Sequence, residues 1–376
     1  MELSIDVLIF VEDPGAANYV ADFPSALKKL GRSAVLLADG YAKKYLAQRD
    51  VECVPMPHPA TSDQVLGRFN PKLLIVGTSG NPDTLGLELI ASARSMRIET
   101  IGVIDGLGNS DYRFRGKTDY ALSYMPDWMA VPDEWTKEEY VKLGYPEDRI
   151  EICGHPHYDS VMNTAAQLAH QDRKVLREKF FPDAPDDVPV VVFLSEPLAG
   201  LDPSQCLKTE EYTLNGRGTV RNRTLIAIEE FLDAVRNAEA YPYLVLRLHP
   251  KNTIEEFTEY LTEFDKISVD NSPHELIFAA DLVVGMTTIL LMEAIILGRR
   301  TFSILPRPKE KGFVASIRAG FTPYATTRRE LREGLSGLLK KDSQGQSTYK
   351  NFSFAYGSLK KNIDFIQSVL RSHASC

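Results

Sequence analysis

Short apolar runs of strand length recur through this chain, and each stops at a polar or turn-forming residue before a helix-length segment begins. In the first half they fall at residues 7–11, 34–37, 73–76, 100–104, 128–131 and 150–152. In the second half they fall at 190–194, at 243–248, just before Gly285, and at 301–305. Apolar runs of this length without polar alternation suit strands buried on both faces. The segments at 20–30, 84–96, 136–143, 166–180, 224–238 and 254–264 read as helices between them. Strands alternating with helices make βαβ units and a parallel sheet.

The alternation runs out after 152, passes a turn at 154–159, the charged helix and a polar loop at 182–189, and restarts at 190. The expected organisation is therefore two α/β domains, 1–165 and 166–350, followed by a segment 351–376 whose amphipathic helix near 358–371 closes the chain. A length of 376 residues with 44% hydrophobic side chains is enough for two cores. The polar stretch 199–222 exceeds an ordinary connection and reads as a functional or mobile loop.

A net charge of −8 argues against a protein that binds nucleic acid by neutralising many phosphates. It leaves room for one nucleotide in a local cleft. The cysteines, Cys53, Cys153, Cys206 and Cys376, are widely spaced and form neither a disulfide framework nor a zinc pattern. The start of the chain carries Glu2 and Asp6 and reads as a first strand rather than a signal peptide, so the cytoplasm is the expected compartment. Asp281 and Glu293 interrupt the apolar stretch 279–298, which is not read as a membrane span.

Polar residues just past the carboxyl ends of strands are the candidate site, because ligands of open α/β sheets bind there. In the second half these are Ser195-Glu196 after one strand, Arg247 and His249-Pro250 at the end of another, and Thr287-Thr288 after Gly285. A helix opening at Thr287-Thr288 would offer unpaired N–H groups and hydroxyls to a phosphate. Glu293 lies within an otherwise apolar helical segment, 289–297. A buried carboxylate there needs partners: the paired hydroxyls of a ribose, or alternatively Arg299 or Arg300. In the first half the candidates are Asp13 and Gly15, with Glu12 behind them, and Asp105 beside Gly106. Asp105 is either a proton acceptor or a turn carboxylate capping the loop that follows.

These motifs resemble those of GT-B glycosyltransferases and of non-hydrolysing UDP-N-acetylglucosamine 2-epimerases, in which a His-Pro turn precedes a small-residue helix start and a Glu-Ala pair. Here those positions are His249-Pro250, Thr287-Thr288 and Glu293-Ala294. The order Asp105-Gly106, His249-Pro250, Thr287-Thr288 is also similar to bacterial sialyltransferases that use CMP-sugars, although Ile104 departs from their acidic triplet. Glu12 to Gly15, Asp105 with Arg113-Phe114, and Ser195 to Pro197 resemble segments of uncharacterised polysaccharide-biosynthesis proteins.

The resemblance implies a GT-B-like α/β fold: two doubly wound, Rossmann-like domains facing across a cleft, with the C-terminal helix packing back on the first. It implies a glycosyltransferase of surface polysaccharide biosynthesis, moving a sugar from a nucleotide-sugar donor, CMP-sugar before UDP-sugar, to a glycan or lipid-linked acceptor. Asp105 or Asp13 would take the acceptor's proton. His249 would meet the leaving phosphate, and Gly15, Ser195, Glu196, Arg247, Pro250, Thr287, Thr288 and Glu293 would hold the donor. No metal or other cofactor is expected, since the sequence has no Asp-x-Asp triplet. Peripheral association with a membrane and the oligomeric state stay open, as do two alternatives: a UDP-sugar 2-epimerase, for which no His-x-Glu-x-Gly segment is found in the first half, and a binding protein without turnover.

Overall fold

The computed structural model describes residues 4–56, 60–77, 80–199, 206–238, 241–269, 273–340 and 357–374. The chain divides into two compact units. Unit 1 comprises Met1–Ser160 with Phe352–Cys376, and unit 2 comprises Val161–Asn351.

Among the described residues, the sheet of unit 1 contains β1 (Val7–Val11), β2 (Ala34–Ala38), β3 (Val54–Pro55), β4 (Leu73–Gly77), β5 (Glu99–Val103), β6 (Trp128–Val131) and β7 (Ile150–Ile152). All are parallel, in the order β3-β2-β1-β4-β5-β6-β7. Unit 2 repeats the plan with β8 (Val190–Leu194), β9 (Tyr243–Arg247), β10 (Lys266–Ser268), β11 (Leu282–Gly285), β12 (Arg300–Ile304) and β13 (Tyr324–Ala325). Its order is β10-β9-β8-β11-β12-β13, again parallel throughout. In each sheet the strand order reverses once, between β1 and β4 and between β8 and β11, which leaves a crevice at the carboxyl ends.

Side chains alternate across each sheet, and both faces are covered. In unit 1, Ile9 and Ile75 pack with Tyr19 and Phe23, while Leu8 and Phe10 pack with Leu89 and Phe114 on the other face. In unit 2, Val191 and Phe193 meet Phe231 and Leu331, whereas Val190 and Val192 meet Ile277 and Leu291. Every residue of β1 and β8 is buried.

Local chemistry changes several helices from their sequence reading. One helix was expected over 20–30, but the chain forms two, Pro14–Val20 and Phe23–Lys29. Asp13 caps the first by accepting from Gly15 N at 3.2 Å, and prolines open both. The turn expected at 154–159 is instead the entry to a helix, Pro156–Leu168, and the helix expected over 166–180 is shortened to Arg173–Phe180 behind an Asp172 cap. The long polar stretch is tied down where it is described. Leu207 bridges to Asn222, and Tyr212 and Leu214 are buried in the core. Residues 200–205 lie outside the described residues, as do 351–356.

The last helix, Ser358–Ala374, belongs to unit 1, as expected of the C-terminal helix. Ile363, Ile366 and Val369 enter its core beside Tyr19 and Phe23. The Tyr19 hydroxyl lies 2.9 Å from the Gly154 carbonyl and 3.1 Å from Asn362 Oδ1, and Asn362 Nδ2 donates to the Ser358 carbonyl at 2.8 Å. Among the described residues no helix is long and apolar enough to cross a membrane. Tyr19→Phe removes the one proton that the two buried acceptors, the Gly154 carbonyl and Asn362 Oδ1, share and is expected to destabilise unit 1 by about 1–3 kcal/mol, read as a lower urea midpoint. An unchanged midpoint would show that this contact does not hold the helix.

Candidate functional site

In unit 1 the polar residues at the carboxyl ends of β1 and β5 converge. Asp105 follows β5 by two residues, and its Oδ1 accepts from Arg113 Nη1 at 2.5 Å. Arg113 Nε also donates to the Gly108 carbonyl at 3.1 Å, closing the loop on itself. Asp105 is thus held by the arginine that the Asp105, Arg113-Phe114 motif places after it, rather than by the backbone of the loop that follows. A Cβ on Gly15 would lie 1.9 Å from Asp105 Oδ2, so only glycine admits the carboxylate there. Gly15 was expected to make room for a ligand; here it makes room for Asp105. Phe114, next to Arg113, is fully buried against Gly102 of β5, where a Cβ would meet its ring at 2.8 Å. The Glu12–Gly15 and Asp105–Phe114 motifs are therefore two halves of one packing arrangement.

Glu12 is the titratable outlier of this cluster. Burial is the main reason its pKa rises to about 7, opposed by the Leu85 N–H and reinforced by Asp39, Asp13 and Glu88.

In unit 2 the site grows from the dipeptide after β8. The ladder continues one residue past the strand, with Ser195 N donating to the Arg247 carbonyl at 2.9 Å. Ser195 Oγ accepts the His249 N–H at 2.9 Å and lies 3.1 Å from Asn252 Oδ1, to which it donates. The turn after β9 closes as Asn252 N donates to the His249 carbonyl at 2.8 Å and Lys251 N to His249 Nδ1 at 3.1 Å. With Nδ1 accepting, the neutral imidazole carries its proton on Nε2. Arg247 is buried, its Nη1 donating to Ser268 Oγ on β10 at 2.9 Å, while Pro250 is exposed.

Glu196 turns the other way, toward β11. Its carboxylate accepts the Thr287 backbone N–H and lies 3.1 and 3.0 Å from Thr287 Oγ1. It also accepts from Arg223 Nη1 at 2.6 Å. Arg223 Nε in turn donates to Glu310 Oε1 at 2.6 Å, and Arg307 Nε donates to the same oxygen at 2.7 Å. Glu310 is fully buried and Arg223 is 8% exposed. Burial would depress Arg223's pKa, but Glu196 and Glu310 outweigh it and raise the value. Burial pushes Glu310 up, and Arg223 with Arg307 hold it below the usual carboxylate range. Two cations of the segment 307–311 are thereby engaged, Arg307 in this chain of charges and Lys309 with Glu211 at 2.5 Å.

The helix expected to open at Thr287-Thr288 begins later, at Leu290, and ends at Ile296. Thr287 has given its N–H to Glu196, and Thr288 Oγ1 accepts from Leu290 N at 3.3 Å, so both residues belong to the turn before the helix. An anion is present at the Thr287 N–H, and it is a carboxylate of the protein. Glu293 is 2% exposed, as its apolar neighbours suggested. It pairs with His274, a residue the sequence reading did not name, whose Nε2 lies 2.5 Å from Oε2.

Sequence reasoning missed Arg223, Glu310, Asn252 and His274. Only Arg223 left a signal: a cation in the first turn of the helix Arg223–Asn237 opposes the helix dipole and needs a local anion to explain it.

No protein-family model matches the chain, and no curated protein matches it. Solved structures do. The UDP-GlcNAc 2-epimerase of Neisseria meningitidis bound to UDP-GlcNAc is 16% identical with a TM-score of 0.68, over 98% of this chain and 100% of that one. The S. aureus MnaA complex with UDP is 12% identical with a TM-score of 0.70, over 98% and 97%. A glycosyltransferase from Rickettsia africae is 13% identical with a TM-score of 0.63, over 98% and 99%. At such identities the likeness is one of fold: two α/β units on parallel sheets, as in GT-B-like epimerases and glycosyltransferases.

Removing the centre of the charge chain takes a carboxylate from the buried Arg223 and from the half-buried Arg307, so Glu310→Ala is expected to cost unit 2 about 3–5 kcal/mol, measured by denaturant unfolding. For Glu12 the folded pKa lies above the ordinary carboxyl value of 4.5. Between that value and about 7 the folded state binds more protons than the unfolded one, so Glu12 lowers stability as pH rises through this window. Glu12→Gln should remove that part of the slope in unfolding measured from pH 4 to about 8; an identical slope would contradict the assignment.

Proposed function

We propose that this chain acts on nucleotide sugars, as a glycosyltransferase that passes a sugar from the donor to a glycan or lipid-linked acceptor in surface polysaccharide biosynthesis. The observation that carries this reading is the gathering of Ser195, Glu196, His249 and Thr287 at the switch point of the unit 2 sheet. That crevice is where a nucleotide's phosphates are received in open α/β sheets. In this reading the His249 Nε2–H donates a hydrogen bond to the leaving phosphate, assisted by the Thr288 hydroxyl, and Glu293 accepts from the ribose hydroxyls. Asp105 or Asp13 takes the acceptor's proton. Charge on the departing nucleotide is met by protein donors, with no metal required.

Solved structures of this fold hold UDP-GlcNAc and UDP, which favours a uridine donor over the CMP-sugar suggested by the Asp-Gly, His-Pro and Thr-Thr order. The same structures include epimerases, which makes 2-epimerisation of a UDP-sugar the second reading. The two differ by product: an epimerase rearranges the sugar with no acceptor, whereas a transferase releases nucleotide only when an acceptor is present.

Calorimetric titration with UDP, UDP-GlcNAc, CMP and GDP is expected to show preference for a uridine ligand. Glu293→Ala and His249→Ala should each weaken it by about 10–100-fold, the scale of hydrogen bonds to charged groups. Preference for CMP would restore the sialyltransferase-like donor, and no binding of any of the four would refute the reading. Conversion of UDP-GlcNAc without acceptor, followed by proton NMR, would select the epimerase.

A further inference from the structure

We propose that Ser195 is the positioning residue of this site, acting on ligand through His249 rather than by touching the ligand itself. The inference deepens the nucleotide reading of unit 2 and rests on it.

Ser195 is 4% exposed, and its hydroxyl has one proton and two lone pairs to place. It uses the proton and one lone pair at the two ends of a single turn. The oxygen takes the backbone N–H of His249, and the proton goes to Asn252 Oδ1. Between these two anchors, Lys251 N donates to Nδ1 of the imidazole. The hydroxyl therefore sets where the His249 backbone starts and where the turn ends, and the turn sets the ring's orientation and puts the proton on Nε2. Without Ser195 the His249 N–H loses this partner, the Asn252 side chain loses an anchor, and the 249–252 turn loses the geometry that places Lys251 N on the ring.

Ser195 is itself rigidly held. Its N–H belongs to the β8–β9 ladder, and the next residue, Glu196, is fixed by Thr287 and by the Arg223–Glu310 pair. A positioning group needs such support, because a ligand-facing side chain is no better placed than the residues behind it. The hydroxyl's one proton and one of its lone pairs are committed within the protein, to a side-chain amide and a backbone N–H, which is the route by which it acts through the turn.

The test is a double-mutant cycle on the full chain, with UDP affinity measured by calorimetry for wild type, Ser195→Ala, His249→Ala and the double variant. Ser195→Ala is expected to weaken binding about 5–10-fold alone and less than about twofold in the His249→Ala background, the signature of two residues acting as one unit. Equal losses in both backgrounds would overturn the positioning role while leaving the nucleotide reading intact. Full UDP affinity in His249→Ala would overturn the positioning role and the part given to His249, whereas absence of UDP binding by the wild type would overturn the nucleotide reading itself. Asn252→Ala, which removes the other end of the turn, should reproduce the Ser195→Ala pattern and serves if Ser195→Ala folds poorly. Nitrogen-15 shifts of the His249 ring provide a readout independent of ligand: an Nε2–H tautomer in wild type, mixed in Ser195→Ala. An unchanged ring signal in that variant would also overturn the proposal.

Discussion

Parallel strands that are covered on both faces leave chemistry nowhere to go but their ends. Along β8 every side chain is buried, and its ladder with β9 runs in register to the pair Leu194 and Arg247. The next residues are the first polar ones, the buried Ser195 and the half-buried Glu196. The same holds in unit 1, where β1 is wholly buried and Glu12 and Asp13 follow at once. Because the strand order reverses beside β1 and beside β8, these first polar residues stand at the one edge where neighbouring loops part.

What fills that edge in unit 2 is largely the protein's own charge. Arg307, Glu310, Arg223 and Glu196 form a buried chain that ends on the Thr287 N–H. Such chains add little net stability, since desolvation offsets attraction, but removing one member leaves the others uncompensated. The arrangement therefore acts mainly through geometry. It ties the 307–310 segment, the start of the helix Arg223–Asn237, the residue after β8 and the turn after β11 into one relative placement. Unit 1 reaches a similar result by packing: Arg113 draws Asp105 into place, and Gly15 leaves the volume it occupies.

Much of the architecture was legible in advance. The central strands were readable because a strand buried on both faces has to be apolar throughout, and the runs at 7–11, 73–76 and 190–194 are. The burial of Glu293 was readable for the same reason, from the apolar residues on either side of it. Helix boundaries were harder, because they turn on single caps and prolines such as Asp13 with Pro14, and Asp172. The opening of the helix near Thr287 was misread since it depends on a carboxylate 91 residues away.

The sequence by itself determined the two parallel sheets, the positions of their central strands and the polar residues at the strand ends, because burial and chain direction act over a few neighbouring residues. Tertiary structure decided which of those polar residues face a partner and which partner it is. Glu196 met Thr287 and Arg223, Asp105 met Arg113 and Gly15, Ser195 met His249, and Glu293 met His274. Each of these meetings depends on the directions in which folded loops bring distant side chains together, and no local pattern of residues records that.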